Sequence, residues 1–123
     1  MKKTLLILVV ILSAISFKTN AQESIKSFIG SWDYECIDAP YEYSTGILII
    51  KQKDNKPVVE VLYNDGTKIV AESVKIIKGI LFFDIYVEDN PINIELKKVD
   101  ANLSGKVLNG YNEELIITAS KKK

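Results

Sequence analysis

The sequence predicts an all-β protein, an antiparallel up-and-down meander of about eight short strands that closes into a small barrel. Apolar and polar side chains alternate over most of the chain from Trp32 onward, as in strands with one buried face. Turn-forming pairs such as Asp65-Gly66 and Lys78-Gly79 recur at intervals of roughly 8–12 residues, which favours hairpins between neighbouring strands. Closure is expected because an open meander of such apolar strands would expose an adhesive edge.

The first 21 residues have the pattern of a secretory signal peptide. Lys2 and Lys3 form a basic start, Leu5–Ile15 an apolar run, and Thr19-Asn20-Ala21 a small-residue cleavage site. The apolar run is short for a transmembrane span, so a membrane anchor is the weaker interpretation. We therefore expect a signal peptide over 1–21 and a single β-barrel domain over 22–123. No transmembrane segment is expected after cleavage, and the location is predicted to be secreted or periplasmic.

The barrel is predicted to begin with a short helix, a glycine and the first strand. Ile25, Phe28 and Ile29 have helical spacing, and Gly30 interrupts it. Trp32 then starts a strand in which apolar and acidic residues alternate. The pattern predicts that the Trp32 indole seats at one end of the barrel, where its N–H needs a hydrogen-bond acceptor.

The later elements follow from the same alternation and from turn residues. The Asp38–Tyr43 loop, with Pro40 between aromatic residues, follows the first strand. An irregular alternation predicts a β-bulge near Ala71–Ser73, and Asp89-Asn90-Pro91 predicts a turn. The remaining predicted strands are Tyr43–Lys53, Pro57–Tyr63, Thr67–Ile77, Ile80–Glu88, Ile92–Lys97, Leu103–Leu108 and Glu114–Ala119.

The composition excludes several classes of function. Removing Lys2, Lys3 and Lys18 from the 16 basic residues leaves 13 against 16 Asp and Glu, so the mature domain is weakly acidic. Neither nucleic acid nor an anionic membrane surface is an expected partner of such a domain. All basic residues are lysine, and there is no histidine. Bidentate guanidinium contacts and imidazole-based catalysis or metal ligation are therefore impossible.

No residue constellation predicts catalysis, a cofactor or a metal. Glu60 with Asp84 is a conceivable acid–base pair, but solvated carboxylates on the outer face explain both more simply. Asp38 and Asp89-Asn90 lack the dense oxygen-ligand spacing of a calcium loop. Cys36 is the single cysteine, so no intramolecular disulfide can form, and without a histidine to activate it the residue is expected to be buried packing.

Aromatic residues are the candidates for ligand contact, because tyrosine joins a large apolar face to one hydroxyl. Both faces of Ile47–Ile50 and of Ile80–Val87 carry apolar residues, so one face builds the core and the other needs a ligand or partner. The candidate ligand-binding residues are Tyr34, Tyr41, Tyr43, Tyr63, Phe82, Asp84 and Tyr86.

The spacing Phe28-x-Gly30-x-Trp32, after a helical turn and at the start of the first strand, resembles the opening segment of the calycins. This group comprises the lipocalins and the intracellular fatty-acid-binding proteins. The resemblance implies that Phe28, Gly30 and Trp32 form a plug at one end of the barrel and that a hydrophobic small molecule binds inside. Three features depart from the pattern. No arginine can pack over the tryptophan, none can hold a ligand carboxylate, and the mature chain is shorter than a typical lipocalin.

Two hypotheses of different classes follow. The first is a secreted, non-catalytic, lipocalin-like β-barrel that binds a small apolar, lipid-like ligand in its interior or at a mouth formed by the Asp38–Tyr43 loop. The second is a structural or interaction protein with a solid barrel, which forms a homodimer or docks on a cell-envelope protein through an apolar outer strip. Carbohydrate binding through Tyr41 and Tyr43 ranks below both.

Overall fold

Nine β-strands, a helical turn at 25–28 and a 3-10 turn at Tyr41–Tyr43 make up the computed structural model, which describes residues 25–122. The predicted signal peptide lies outside the described residues. Within 25–122, no helix has the length and hydropathy needed to cross a bilayer. The strands are β1 (Gly30–Glu35), β2 (Thr45–Lys53), β3 (Lys56–Tyr63), β4 (Lys68–Val70), β5 (Glu72–Ile77), β6 (Ile80–Val87), β7 (Asn90–Val99), β8 (Asn102–Leu108) and β9 (Glu114–Lys121).

All nine strands belong to one antiparallel sheet with the order β4-β3-β2-β1-β9-β8-β7-β6-β5. Successive strands pair as antiparallel neighbours except β4 and β5, which stand at the two ends of the sheet order. β1 also pairs with β9, so the first and last strands are neighbours. The sheet curls into a nearly closed barrel. The predicted all-β class, the meander and the short N-terminal helix are confirmed.

The segment β4–β5 lies where the two ends of the sheet meet. β4 hydrogen-bonds to β3 and β5 to β6, and between them Ala71 donates its N–H to the Val59 carbonyl at 2.9 Å. Ser73 has a positive φ of 54°, and the pairing of β5 with β6 shifts register there. The predicted bulge is therefore present. The count of about eight strands becomes nine, because the predicted strand Thr67–Ile77 changes partner at the bulge.

Two predicted boundaries move for local backbone reasons. Pro40 precedes the 3-10 turn, so β2 begins at Thr45 rather than at Tyr43. The turn predicted at Asp89-Asn90-Pro91 is instead centred on Glu88 and Asp89, whose φ values are 51° and 66°. Positive φ at both central residues matches the twist of a two-residue hairpin, and it places Pro91 inside β7.

One half of the barrel is tightly packed around the Trp32 indole. The Trp32 Nε1–H donates to the Phe28 carbonyl at 2.9 Å, which provides the acceptor that the buried indole requires. The residues in this half have at most 1% of their surface exposed: Phe28, Trp32, Ile50, Val59, Leu81, Leu96 and Leu103. They close this end of the barrel.

Lys121, near the end of β9, packs over Trp32. Its Nζ lies 4.7 Å from the indole ring centroid and donates to the Ile29 carbonyl at 2.7 Å. A lysine thus stands over the tryptophan where the calycin resemblance leads one to expect an arginine. Gly30 has a φ of 139°, and a Cβ there would overlap the Lys121 side chain, so only glycine suits this position.

Candidate ligand-binding cavity

A cavity of about 250 Å³ occupies the half of the barrel away from Trp32. β1 starts at the plugged end, so the loops after β1, β3, β6 and β8 all lie at the opposite end. Three of these loops border the cavity and form its mouth. Its apolar walls are Leu48, Val61, Ile85, Ile94, Val107 and Ile117, with Val87, Ile92 and Leu115 closer to the mouth. The barrel is therefore solid at one end and hollow at the other.

Three tyrosines bring hydroxyl groups to this apolar interior. Tyr34 lies opposite Gly46 in the β1–β2 pairing, and a Cβ on that glycine would approach the Tyr34 ring to 2.7 Å. The missing side chain leaves room for the ring to lie against β2. The Tyr34 hydroxyl donates to the Tyr43 carbonyl at 3.0 Å. The rings of Tyr43 and Tyr63 meet edge to face, with centroids 5.1 Å apart.

The mouth is bridged by a contact between two loops. The Tyr43 hydroxyl donates to Glu88 Oε1 at 3.3 Å, which joins the 3-10 turn to the β6–β7 turn. A third loop is ordered by Asn109, whose Oδ1 accepts the N–H groups of Tyr111 and Glu113 at 2.9 and 3.0 Å. These contacts give the cavity a polar rim around an apolar interior, the arrangement typical of small-molecule sites.

The electrostatic environment keeps the tyrosine hydroxyls neutral. Burial, with the neighbouring Tyr43 and Asp65, raises the pKa of Tyr63 to about 12. Burial raises the pKa of Tyr34 further. Burial and the charge of Glu88 raise the pKa of Tyr43. The cavity therefore disfavours negative charge on these three groups.

The seven candidate ligand-binding residues divide into two sets. Tyr34, Tyr43 and Tyr63 line the cavity. Tyr41 does not, because it points away from the barrel with 93% of its surface exposed. Tyr41 and Tyr43 thus do not form one exposed platform of the kind that the carbohydrate hypothesis needs.

The other three candidates lie on β6 and face outward. Leu81, Phe83 and Ile85 are buried on the inner face, so the strand alternation turns Phe82, Asp84 and Tyr86 to the outside. Asp84 accepts a hydrogen bond from Asn93 at 2.7 Å on that outer surface. Phe82, Asp84 and Tyr86, named above as candidate ligand-binding residues, therefore lie outside this cavity.

Several cavity residues were not among the candidates. The apolar residues of β7, β8 and β9, such as Ile94, Val107 and Ile117, form much of the wall. Their alternation marks them as inward-facing, but it does not distinguish the hollow half from the packed half. Glu88 was assigned to the end of a strand, and only the structure places its carboxylate at the mouth.

Glu60 and Asp84, the carboxylates considered for acid–base chemistry, lie on different strands and bind different partners. Glu60 lies on β3 with its carboxylate 3.0 Å from Lys51 Nζ and 3.6 Å from Lys68 Nζ. The hydrogen bond from Lys51 holds the pKa of Glu60 below its ordinary value, which is the opposite of what a general acid needs. Asp84 stands on β6, which is not a neighbour of β3 in the sheet.

Cys36 is buried at the edge of the cavity, with 3% of its surface exposed. Burial raises the pKa of its thiol, so the reactive thiolate is disfavoured. In the described part of the chain, no three His, Cys, Asp or Glu side chains are grouped so that they could hold a metal ion.

The plugged end, the nearly closed meander and the interior cavity together define a calycin-like β-barrel fold, the architecture of lipocalins and fatty-acid-binding proteins. The structure is similar to that of the wild-type fluorescent protein UnaG, with a TM-score of 0.52 and 15% sequence identity over 80% of this chain and 99% of that chain. A single-residue variant of UnaG gives a TM-score of 0.55 at 15% identity, over 80% of this chain and 99% of that chain. A scan of protein-family models and a search of curated proteins each give no match.

Proposed function

We propose that this protein is a non-catalytic binding protein that holds a small, lipid-like apolar molecule in the hollow half of its barrel. The observation that carries the proposal is the cavity of about 250 Å³ with apolar walls and one polar mouth. Its volume is slightly below the range of about 300–1,000 Å³ common for small-molecule sites. The ligand is therefore a compact molecule or one whose polar end protrudes through the mouth.

The mature protein, purified from its own host under mild conditions, tests the proposal by native mass spectrometry. We expect an additional mass that disappears after organic extraction, since an apolar ligand partitions into the solvent. A bare mass before extraction, combined with failure of the neutral probe N-phenylnaphthylamine to bind, would contradict the proposal.

Filling the cavity gives a second test. Ile117 faces the cavity with 3% of its surface exposed, whereas its neighbour Ile116 faces outward with 71% exposed. Ile117→Trp places an indole in the cavity and should weaken binding of N-phenylnaphthylamine at least about tenfold. Ile116→Trp adds the same side chain outside and should leave binding unchanged.

Circular dichroism melting shows whether the Ile117 variant is folded. Should Ile117→Trp not fold, Leu115→Trp provides the same test from a half-buried position near the mouth. Unaltered probe binding in both folded variants would place the probe outside the cavity and contradict the proposal.

The proposal includes export to a secreted or periplasmic compartment, which is supported by the basic, apolar and small-residue pattern of residues 1–21. Mass spectrometry of the protein from its host should find the mature chain starting near Gln22. An intact Met1 start would contradict export by this route.

A second candidate function, self-association or docking on a cell-envelope protein, is favoured by an apolar cluster on the outer face. Ile47 and Leu62 are paired across β2 and β3, and Ile49 is on the same face. All three are only partly buried within the chain. The same native mass spectrum separates the candidates, because a homodimer mass would assign this cluster to an interface and a monomer mass would contradict self-association.

A further inference from the structure

Acidic residues predominate in the loops at the open end of the barrel. The four loops at the open end are 36–44, 64–67, 88–89 and 109–113, and they contain no lysine. Their charged residues are Asp38, Glu42, Asp65, Glu88, Asp89 and Glu113. Lys68 directly follows the loop at 64–67. The closed end carries charges of both signs in or beside its turns, with the lysines Lys53, Lys56, Lys78 and Lys121 and the acidic residues Asp54 and Asp100. This distribution produces a negative potential at the mouth, which attracts cations to the cavity and repels anions.

The cavity itself contains no positive charge. Among the described residues that line it, Glu88 is the charged one, and the remaining polar groups are hydroxyl, amide and thiol groups. A ligand carboxylate would therefore leave water without a cation to pair with, and it would approach Glu88. Asn90 and Asn109 provide amide N–H donors at the rim, but these donors are neutral. They do not compensate for the repulsion between a ligand carboxylate and Glu88.

The hydroxyl groups at the mouth present acceptors to a ligand. Tyr34 and Tyr43 each commit their single proton to a protein acceptor, the Tyr43 carbonyl and Glu88 Oε1. Toward a ligand, these two hydroxyl oxygens can therefore only accept hydrogen bonds through their lone pairs. The ionised Glu88 carboxylate can also only accept. The Tyr63 hydroxyl makes no hydrogen bond to another described residue, so it keeps both its proton and its lone pairs for a ligand; 6% of the surface of Tyr63 is exposed. A ligand group with several N–H donors complements this arrangement.

We propose that the ligand of this cavity is an apolar amine, whose hydrocarbon part fills the hollow half of the barrel and whose ammonium lies beside Glu88 at the mouth. This inference rests on the proposed function and names its ligand class. It departs from the carboxylate ligands of the fatty-acid-binding group, which need a positive partner that this cavity does not contain.

Three probes with hydrocarbon chains of the same length distinguish the effect of ligand charge on binding from the effect of apolar contact. Octylamine, octanol and octanoate each displace bound N-phenylnaphthylamine if they enter the cavity, and at pH 7 the amine is protonated and the acid ionised. In low salt, octylamine should bind about tenfold more tightly than octanoate, with octanol between them. Raising the ionic strength should narrow this difference, because Glu88 is exposed to solvent.

Glu88→Gln tests the residue while keeping an acceptor for the Tyr43 hydroxyl. We expect it to remove most of the preference for octylamine over octanoate. Asp33→Asn makes the same charge change on the outward face of β1, away from the cavity, and should retain the preference.

The inference would be overturned if octanoate bound as tightly as octylamine, or if the Glu88 and Asp33 substitutions had equal effects. The proposed binding function would stand in either case. Displacement by none of the three probes would also overturn the inference. Failure of N-phenylnaphthylamine itself to bind would instead overturn the proposed function.

Discussion

At the scale of single residues, Lys121 shows how the barrel end is closed without an arginine. Its ammonium makes a cation–π contact with Trp32 and a hydrogen bond to the Ile29 carbonyl, so one side chain joins the last strand to the segment before β1. An exposed cation–π contact contributes about 0.5–1 kcal/mol and a hydrogen bond a similar amount. Both contacts depend on the charge and reach of the side chain.

Lys121→Met keeps the side-chain length but removes both contacts. We expect the free energy of unfolding to fall by about 1–2 kcal/mol, measured by urea denaturation with the fluorescence of Trp32, the single tryptophan of the chain. Lys121→Arg should retain most of the stability. Lys122→Met removes a neighbouring exposed lysine and serves as the control. Equal losses for the Lys121 and Lys122 substitutions would show that the contacts contribute nothing.

Tyr63 makes stability depend on pH in the alkaline range. Its pKa is about 12 in the folded protein, against an ordinary value of about 10 in the unfolded chain. Above pH 10 the unfolded chain loses this proton while the folded protein keeps it. The stabilisation is therefore fully present below pH 10 and is lost as the pH rises towards 12.

Tyr63→Phe should make this alkaline decline shallower, because one group that titrates differently in the two states is gone while Tyr34 and Tyr43, whose pKa values are also raised, remain. Urea denaturation at several pH values from 8 to 11 measures the slope. Tyr111→Phe, at a residue with 79% of its surface exposed, is the control and should leave the slope as it is. The same steep decline in Tyr63→Phe as in the unaltered protein would refute the assignment.

At the scale of elements, the loop between β8 and β9 is held by the Asn109 side chain together with backbone hydrogen bonds. Asn109 Oδ1 accepts two backbone N–H groups, and the Asn109 N–H donates to the Glu113 carbonyl at 3.1 Å. This loop contributes Asn109, Gly110 and Tyr111 to the mouth of the cavity. The Asn109 amide oxygen therefore contributes two of the hydrogen bonds that order this part of the mouth, beside backbone hydrogen bonds within the loop.

Asn109→Ala should increase hydrogen exchange at the Tyr111 and Glu113 amides, because both lose their acceptor. Exchange in β7 should stay slow, since its ladders to β6 and β8 are unaffected. Asn109→Asp keeps an oxygen in the same place and is the matched control. Unchanged exchange at Tyr111 in Asn109→Ala would show that the loop is ordered by other contacts.

The segment β4–β5 shows what an irregular alternation means in three dimensions. The sequence indicates a strand with an irregularity near Ala71–Ser73. In the structure the chain changes partner at this point, since β4 pairs with β3 and β5 pairs with β6. A single continuous strand could not bond to both ends of the sheet over its whole length. The bulge is thus the means by which the barrel comes close to closure.

At the scale of the whole molecule, alternation and turn residues were sufficient to predict the barrel. Trp32, with Phe28 and Gly30, was sufficient to predict which end is plugged. The hollow half was not predictable, because it depends on which side chains from different strands meet at one level. Leu96 fills the packed half and Ile94, two residues earlier, lines the cavity, although both follow the same pattern.

The tyrosines of the site were partly predictable for the same reason. Tyr34 alternates with Asp33 and Glu35, and Tyr63 shares the inward face of β3 with Val59 and Val61. Phe82 and Tyr86 belong to a strand that is apolar on both faces, so composition alone left their direction open. Leu81, Phe83 and Ile85 are buried, and a strand can turn only one face to the core. Phe82 and Tyr86 therefore face outward.

The pairing of β1 with β9 leads us to expect an order of events during folding. The hairpins between neighbouring strands close short loops, whereas Lys121 meets Ile29 across 92 positions of the chain. Long-range closure costs more entropy and follows local pairing. Until β9 is in place, β1 and β8 each present an unpaired edge that can recruit another chain. A chain stopped before Glu114 would keep most of its hairpins yet leave these two edges open to aggregation, so we expect the addition of β9 to be the step that covers them.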